Sequence, residues 1–188
     1  MLDRRELVRQ LLADRGDLLV VSGLGSATYD TAAAGDHPLN FYLWGAMGGT
    51  AMIGLGLALA QPERRVAVLT GDGDMLMGMG SLATIGVKQP KNLAIVVLDN
   101  AHYGETGMQA SHTHSGIDLV AVALGCRFKH ARAISRIEEA TDVRKLLHTG
   151  EGPILVSARI SEEDVPRVLP IRDGHAIKQR FIAALNGA

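Results

Sequence analysis

The chain has 188 residues, 47% of them hydrophobic and 21% charged, which leaves room for one α/β domain with a real core and excludes two domains of ordinary size. Nineteen basic residues against twenty acidic ones give a formal charge of −1 and exclude the broad basic field that nucleic acid requires. The lone Cys126 excludes an internal disulfide and any site built from several thiolates, which suits a reducing cytoplasm.

In chain order, residues 2–14 read as an amphipathic surface helix, with charges where a secretory signal needs an unbroken apolar run. Export is not expected. Residues 18–21 follow as a short buried strand, and SGLGSATYD as a loop. From residue 39 to 61 there is no charge for 23 residues, a length that permits a membrane span. Asn40, Trp44 and five glycines interrupt it, so it reads instead as a loop and then a buried helix over residues 47–60, with no membrane contact. Pro62 and Glu63-Arg64-Arg65 end that helix, and VAVLT at 66–70 is a core strand running into Gly71-Asp72-Gly73-Asp74.

A helix is expected over residues 75–86, a turn at Pro90-Lys91-Asn92, and a second apolar strand, LAIVVLD, at 93–99. The polar loop NAHYGETGMQASHTHSG comes next. Beyond it the pattern predicts a helix at 117–124, a strand at 127–131, and a helix at 135–148 opened by a Ser135-x-x-Glu138 capping box. A last strand at 153–160, an extended strap at 161–172 and a terminal helix at 174–185 complete the chain. Apolar strands alternating with helices predict one domain over residues 1–188, a doubly wound parallel sheet with helices on both faces.

The informative block is strand, GDGD, helix, strand, Asp99-Asn100. Asp72 and Asn100 lie 28 positions apart, the length of one right-handed βαβ unit. Both therefore fall just past the carboxyl ends of neighbouring strands, where open α/β sheets bind ligands. Glycines on either side of Asp72 let the backbone approach a ligand, and the amides of Gly73 and Asp74 open a helix whose positive end favours phosphate. Asp72, Asp74 and Asp99 facing a diphosphate demand a hard divalent cation, since like charges at 4 Å cost about 4 kcal/mol at an effective dielectric of 20.

This spacing resembles the thiamine-diphosphate enzymes, whose signature is GDG, some two dozen residues, then NN. Here 25 residues separate GDG from Asp99-Asn100, so Asp99 replaces the first asparagine. The resemblance implies thiamine diphosphate and Mg²⁺ as cofactors. It implies Asp72 and Asn100 as side-chain metal ligands, with the main-chain carbonyl of His102 as the third. Trp44-Gly45-Ala46-Met47-Gly48 resembles the family segment beneath the cofactor, where the Gly45 carbonyl accepts from the aminopyrimidine and Met47 props the cofactor bent. Gly71, Gly73, Asp74 and Tyr103 complete the expected cofactor contacts.

Within the family, HPLNFYLWGAMG and GSLATIGVKQPKNLAIVVLDNAHYGETGMQ look most like the sulfopyruvate and phosphonopyruvate decarboxylases, over about residues 22–157. That implies a carboxy-lyase acting on a small anionic 2-oxo acid. It also implies an α subunit that carries the pyrimidine-binding domain and an activating glutamate, in a hetero-oligomer of paired units that is active only when assembled. The Gly-rich helix and the loop around Tyr103 are the surfaces such a partner is expected to cover. His112, His114 and Glu105 in the polar loop are the candidates for the substrate side, since imidazole titrates near neutral pH.

Other readings compete. Tyr103-Gly104-Glu105-Thr106-Gly107-Met108-Gln109 also resembles the β chain of 2-oxo-acid:ferredoxin oxidoreductases, whose clusters one cysteine cannot hold. A catalytically degenerate cofactor-binding subunit is a further alternative. A dinucleotide site on Gly23-Leu24-Gly25 fails because Thr28 stands where the third glycine belongs, no helix is expected to begin there, and no acid lies near Leu43.

Overall fold

The computed structural model describes residues 1–163 and 165–187. In chain order the strands are β1 (Leu19–Ser22), β2 (Asn40–Tyr42), β3 (Val66–Gly71), β4 (Leu93–Asp99), β5 (His102–Tyr103), β6 (Gln109–Ala110), β7 (His130–Ile134) and β8 (Ile154–Arg159). The helices are α1 (Arg4–Leu11), α2 (Ser26–Ala33), α3 (Thr50–Ala60), α4 (Asp72–Met77), α5 (Ser81–Lys88), α6 (Leu119–Gly125), α7 (Ala140–Thr149) and α8 (Gly174–Leu185). Six strands form one parallel sheet in the order β2-β1-β3-β4-β8-β7, and β5 pairs with β6 in a separate small hairpin.

The two-residue period of the strands explains the layers. Val20, Ala67, Leu69, Ala94, Val96 and Leu98 face a core shared with α1, α2 and α7. Their neighbours Leu19, Val21, Val66, Val68, Ile95 and Val97 face the opposite core, packed by α3, α5, α6 and α8. The doubly wound parallel sheet expected from the sequence is therefore the architecture found. From β1 the chain winds outward through α2 to β2, then returns through α3 to β3 on the other side of β1. The crevice between the ends of β1 and β3 is thus the topological switch point.

Four expectations need correction. SGLGSATYD is not all loop: Gly25 takes a φ of +69° and α2 begins at Ser26, with Thr28 bonded back to the Gly23 carbonyl at 2.7 Å. The argument that no helix begins there falls with it. The helix expected over 75–86 is two, α4 and α5, because Gly78 packs on the Gly48 backbone so closely that a Cβ would meet Gly48 O at 2.1 Å. The strand expected at 127–131 runs over His130–Ile134, after Arg127 takes a φ of +67°. The carboxylate that accepts from the Ser135 and Arg136 amides belongs to Glu139, at 3.1 Å each, and not to Glu138.

The uncharged run resolves into β2 and then the eleven-residue α3. Gly54 lets α3 settle directly on β3, since a Cβ there would lie 2.2 Å from Val68 Cγ2. Among the described residues no helix is long and apolar enough to cross a membrane.

Candidate cofactor and metal site

β3 and β4 run parallel with Gly71 opposite Leu98, so Asp72 and Asn100 emerge side by side from adjacent strand ends. Both line one cavity of about 360 Å³, together with Gly71, Gly73, Asp74 and His102. The end of β1 opens into the same space through Leu24 and Ser26. The structure therefore brings together on one rim residues that are distant in sequence.

Asp72 is only 2% exposed, and burial holds its carboxyl above the usual carboxylate range, with the charge of Asp99 adding to the effect. Ser111 Oγ donates to Asp72 Oδ2 at 2.5 Å and Thr113 Oγ1 at 3.4 Å, which offsets part of that cost. Asp99, the residue in place of the family asparagine, is committed elsewhere. Its Oδ1 accepts from the Ala101 amide at 2.9 Å, from Thr113 Oγ1 at 2.8 Å and from Arg159 Nη1 at 3.3 Å. Arg159 stands directly across from it in the β4–β8 register.

Ser111 and Thr113 were not singled out in the sequence, where the alternation Ser-His-Thr-His drew attention to the imidazoles. Successive turns over residues 112–116 turn the Ser111 and Thr113 hydroxyls onto the two aspartates and leave His112 and His114 exposed. His112 Nδ1 lies 3.1 Å from Tyr103 Oη, and the His114 ring packs 5.5 Å from that of His102. The His102 amide donates to Asn100 Oδ1 at 3.0 Å, and its Nδ1 lies 3.5 Å from Glu162.

Asp74 contributes its backbone to the cavity, but its carboxylate is engaged inside the protein. It accepts from the Gly48 amide at 2.5 Å, from Thr50 Oγ1 at 2.5 Å and from Thr70 Oγ1. Gly73 lies beneath the Tyr103 ring: a Cβ at residue 73 would meet Tyr103 Cδ1 at 2.7 Å and Met47 Cε at 3.4 Å. Met47, Gly73 and Tyr103 form the wall shared with a second cavity of about 410 Å³, whose other lining includes Met77, Met79, Ile117 and His112. Gly45 is exposed and lies outside the walls of both cavities. Among the described residues no three His, Cys, Asp or Glu side chains cluster as a metal site.

The family profile described as "Thiamine pyrophosphate enzyme, C-terminal TPP binding domain" matches residues 23–158, a span that holds both strand tips, the Met47 segment and the polar loop. The chain belongs to this family. Over 190 aligned positions it is 38% identical to the sulfopyruvate decarboxylase subunit beta of Methanothermobacter thermautotrophicus, covering all of this chain and 98% of that one. It is 40% identical to the phosphonopyruvate decarboxylase of Streptomyces viridochromogenes over 77% of this chain and 36% of that one. The thiamine diphosphate-dependent 4-hydroxybenzoylformate decarboxylase of Rhodococcus jostii superposes on 87% of the chain, and on 33% of its own, with a TM-score of 0.70. At 21% identity that likeness speaks for the fold alone.

Proposed function

We propose that this chain is the thiamine-diphosphate- and Mg²⁺-binding β subunit of a two-subunit 2-oxo-acid decarboxylase that acts on sulfopyruvate or phosphonopyruvate in the cytoplasm. The observation that carries the reading is the convergence of Asp72 and Asn100, from adjacent strand tips, on one cavity floored by glycines. Near full-length similarity to a sulfopyruvate decarboxylase β subunit supports the substrate class.

The residues fit the ion. A carboxylate, a carboxamide oxygen and the His102 carbonyl are hard oxygen donors of the kind Mg²⁺ prefers. The side-chain hydrogen bonds to Asp72 go to Oδ2, which leaves Oδ1 available, and Asn100 Oδ1 has given only one of its two lone pairs. A divalent cation also offsets the burial that penalises the ionised Asp72. They fit the cofactor as well. Gly71 and Gly73 permit close backbone approach to a diphosphate, the amides of Gly73 and Asp74 donate to it, and Met47 stands beside Gly73 to support the ring system.

When bound, thiamine diphosphate supplies the ring that accepts the electron pair released with CO₂. This chain's part is to hold and orient it, while Tyr103 and the apolar wall of the second cavity exclude water. His112, bonded to Tyr103 at that wall, and His114, beside His102, serve the substrate side. The activating glutamate and the pyrimidine-binding domain come from an α subunit, in paired αβ units. Met52 and Leu59 on α3, with Met77 and Met79, leave an apolar surface for it at 41%, 50%, 68% and 37% exposure.

The test is CO₂ release from sulfopyruvate, phosphonopyruvate and pyruvate by the chain alone and by the chain with its co-purifying partner, with and without Mg²⁺. Mg²⁺-dependent activity of the pair alone is expected. A fully active single chain, or a pair inert on all three acids, overturns the reading.

A further inference from the structure

Ala101, between the two rim residues Asn100 and His102, takes a φ of +62°, in the left-handed region that a side chain disfavours, and it is fully buried. Such a backbone persists only where its neighbours hold it. The Ala101 amide donates to Asp99 Oδ1 at 2.9 Å, the Ser111 amide donates to the Ala101 carbonyl at 2.8 Å, and the His102 amide donates to Asn100 Oδ1 at 3.0 Å. The turn so fixed brings Asn100 and His102 onto the wall of the cavity that Asp72 also lines.

Asp99 lines neither cavity, so its carboxylate acts on that wall only through what it holds. One oxygen, Oδ1, accepts from the Ala101 amide, from Thr113 Oγ1 at 2.8 Å and from Arg159 Nη1 at 3.3 Å. Thr113 Oγ1 lies 2.9 Å from Ser111 Oγ, which donates to Asp72 Oδ2 at 2.5 Å. A hydrogen-bonded chain thus runs from Arg159 through Asp99, Thr113 and Ser111 to the buried Asp72, with a branch at Ala101 that reaches Asn100. Glu105 stands outside it, against the Gly25 backbone and 3.8 Å from Arg167. An ionised carboxylate suits the head of this chain, because it holds a guanidinium together with two further donors. A carboxamide there offers a neutral oxygen and an NH₂ that cannot accept from Arg159. The Arg159 side chain is 39% exposed, so the pair adds little to stability and its worth lies in geometry.

We propose that Asp99, neutralised by Arg159, is the positioning residue of the metal site. It locks the turn that presents Asn100 and the His102 carbonyl, and through Thr113 and Ser111 it fixes the Asp72 carboxylate. This rests on the Mg²⁺ and thiamine-diphosphate reading above. Mg²⁺ demands near-ideal octahedral geometry, whereas Ca²⁺ accepts irregular and longer contacts. Looser ligands therefore cost Mg²⁺ more than Ca²⁺. Loss of a nearby negative charge alone weakens both ions alike, and loss of a purely structural contact lowers stability while leaving the ratio of the two affinities in place.

The experiment titrates Mg²⁺, and separately Ca²⁺, into the chain with its partner in excess thiamine diphosphate, by calorimetry, with urea midpoints of the metal-free assembly alongside. Wild type is compared with Asp99→Asn, Arg159→Met, Thr113→Val and the Asp99→Asn, Arg159→Met double variant. Asp99→Asn is expected to weaken Mg²⁺ by about tenfold and Ca²⁺ by about threefold or less, with a urea midpoint close to that of wild type. Thr113→Val keeps the shape and removes the hydroxyl link to Asp72, and it is expected to move the ratio the same way by a smaller factor. Because Asp99 and Arg159 act as a unit, the double variant is expected to match Asp99→Asn and not the product of the two single losses. Equal losses of Mg²⁺ and Ca²⁺, or a lowered midpoint with an unchanged ratio, overturn the positioning role and leave the cofactor reading standing. Wild type that binds neither ion in the presence of thiamine diphosphate overturns the cofactor reading, and the positioning role with it.

Discussion

The Asp74 carboxylate accepts the backbone amide of Gly48 at 2.5 Å, and so ties the first turn after β3 to the loop that carries Met47. Its second oxygen holds Thr50 at the start of α3 and Thr70 at the end of β3, both 1% exposed. Asp74→Ala leaves three donors without an acceptor. At about 1–3 kcal/mol for each unmet buried group, less what relaxation recovers, we expect a loss of roughly 3 kcal/mol in urea unfolding. Asp74→Asn keeps part of the acceptor set and is expected to lose about 1 kcal/mol. A loss well under that from Asp74→Ala would mean that the three donors find water instead.

Asp72 follows the opposite rule, although it lies two residues away. Burial raises its carboxyl pKa in the fold, so its stabilising contribution is full below the unfolded value and is lost as pH rises through the folded one. At neutral pH its charge is a cost to the metal-free chain. Asp72→Asn is therefore expected to stabilise that chain by roughly 1 kcal/mol while abolishing Mg²⁺-dependent binding of thiamine diphosphate. Thermal melts without metal and calorimetry with it read the two effects. Destabilisation by Asn would mean that the carboxylate serves the fold and not an ion.

These two aspartates also mark how far the sequence is legible. Strand tips 28 positions apart follow from periodicity and the length of a βαβ unit, so the place of Asp72 and Asn100 is readable from spacing. The direction of the Asp74 carboxylate is not, because Gly48, Thr50 and Thr70 reach it only after α3 has folded back across the sheet. The partnership of Asp99 with Arg159 depends on the β4–β8 register, which no local pattern encodes. α2 is hidden in the sequence because Gly23, Gly25 and Ser26 carry a loop composition and its N-cap is a glycine with no side-chain cap, the Thr28 hydroxyl bracing the turn on the Gly23 carbonyl instead. The placement of the Ser111 and Thr113 hydroxyls had no periodic signal, because residues 112–116 fold as successive turns whose direction is set by the tertiary contacts with Asp72 and Asp99.

Two histidines set the response to mild acid. His37 is held below the ordinary histidine value of about 6.5 by burial and then by Arg15, and His148 by burial and then by Arg144 and Arg65. In each case the unfolded chain binds a proton that the fold resists. Their stabilising contribution is full above that ordinary value and is lost as pH falls through the lower folded ones. His37 adds a structural reason, since its Nδ1 accepts from the Leu39 amide at 3.1 Å and loses that bond on protonation. Urea midpoints measured from pH 7.5 down to 5.5 are expected to fall more steeply in wild type than in the His37→Asn, His148→Gln double variant. Comparing the two slopes separates these histidines from Asp72, which works in the other direction. Parallel slopes would show that neither imidazole resists its proton.

Two glycines of α3, two residues apart and so on opposite faces of the helix, are expected to answer differently to alanine. Gly54 faces the sheet, where a Cβ would stand 2.2 Å from Val68 Cγ2, so Gly54→Ala overpacks the core at a cost of about 1–3 kcal/mol. Gly56 meets nothing within 4 Å, and in a helix interior Ala gains about 0.5–1 kcal/mol over Gly. Gly56→Ala should therefore raise the melting temperature of the isolated chain. Yet Met52, Gly56 and Leu59 are spaced i, i+4, i+7, which makes them one exposed stripe, the stripe proposed above to meet the α subunit. Helices that pack through glycine lose close approach when a methyl is added. The same substitution is then expected to weaken the αβ complex several-fold, as read by the dissociation constant in sedimentation or surface binding. Stabilisation of the single chain with an unchanged dissociation constant would place the partner on another face.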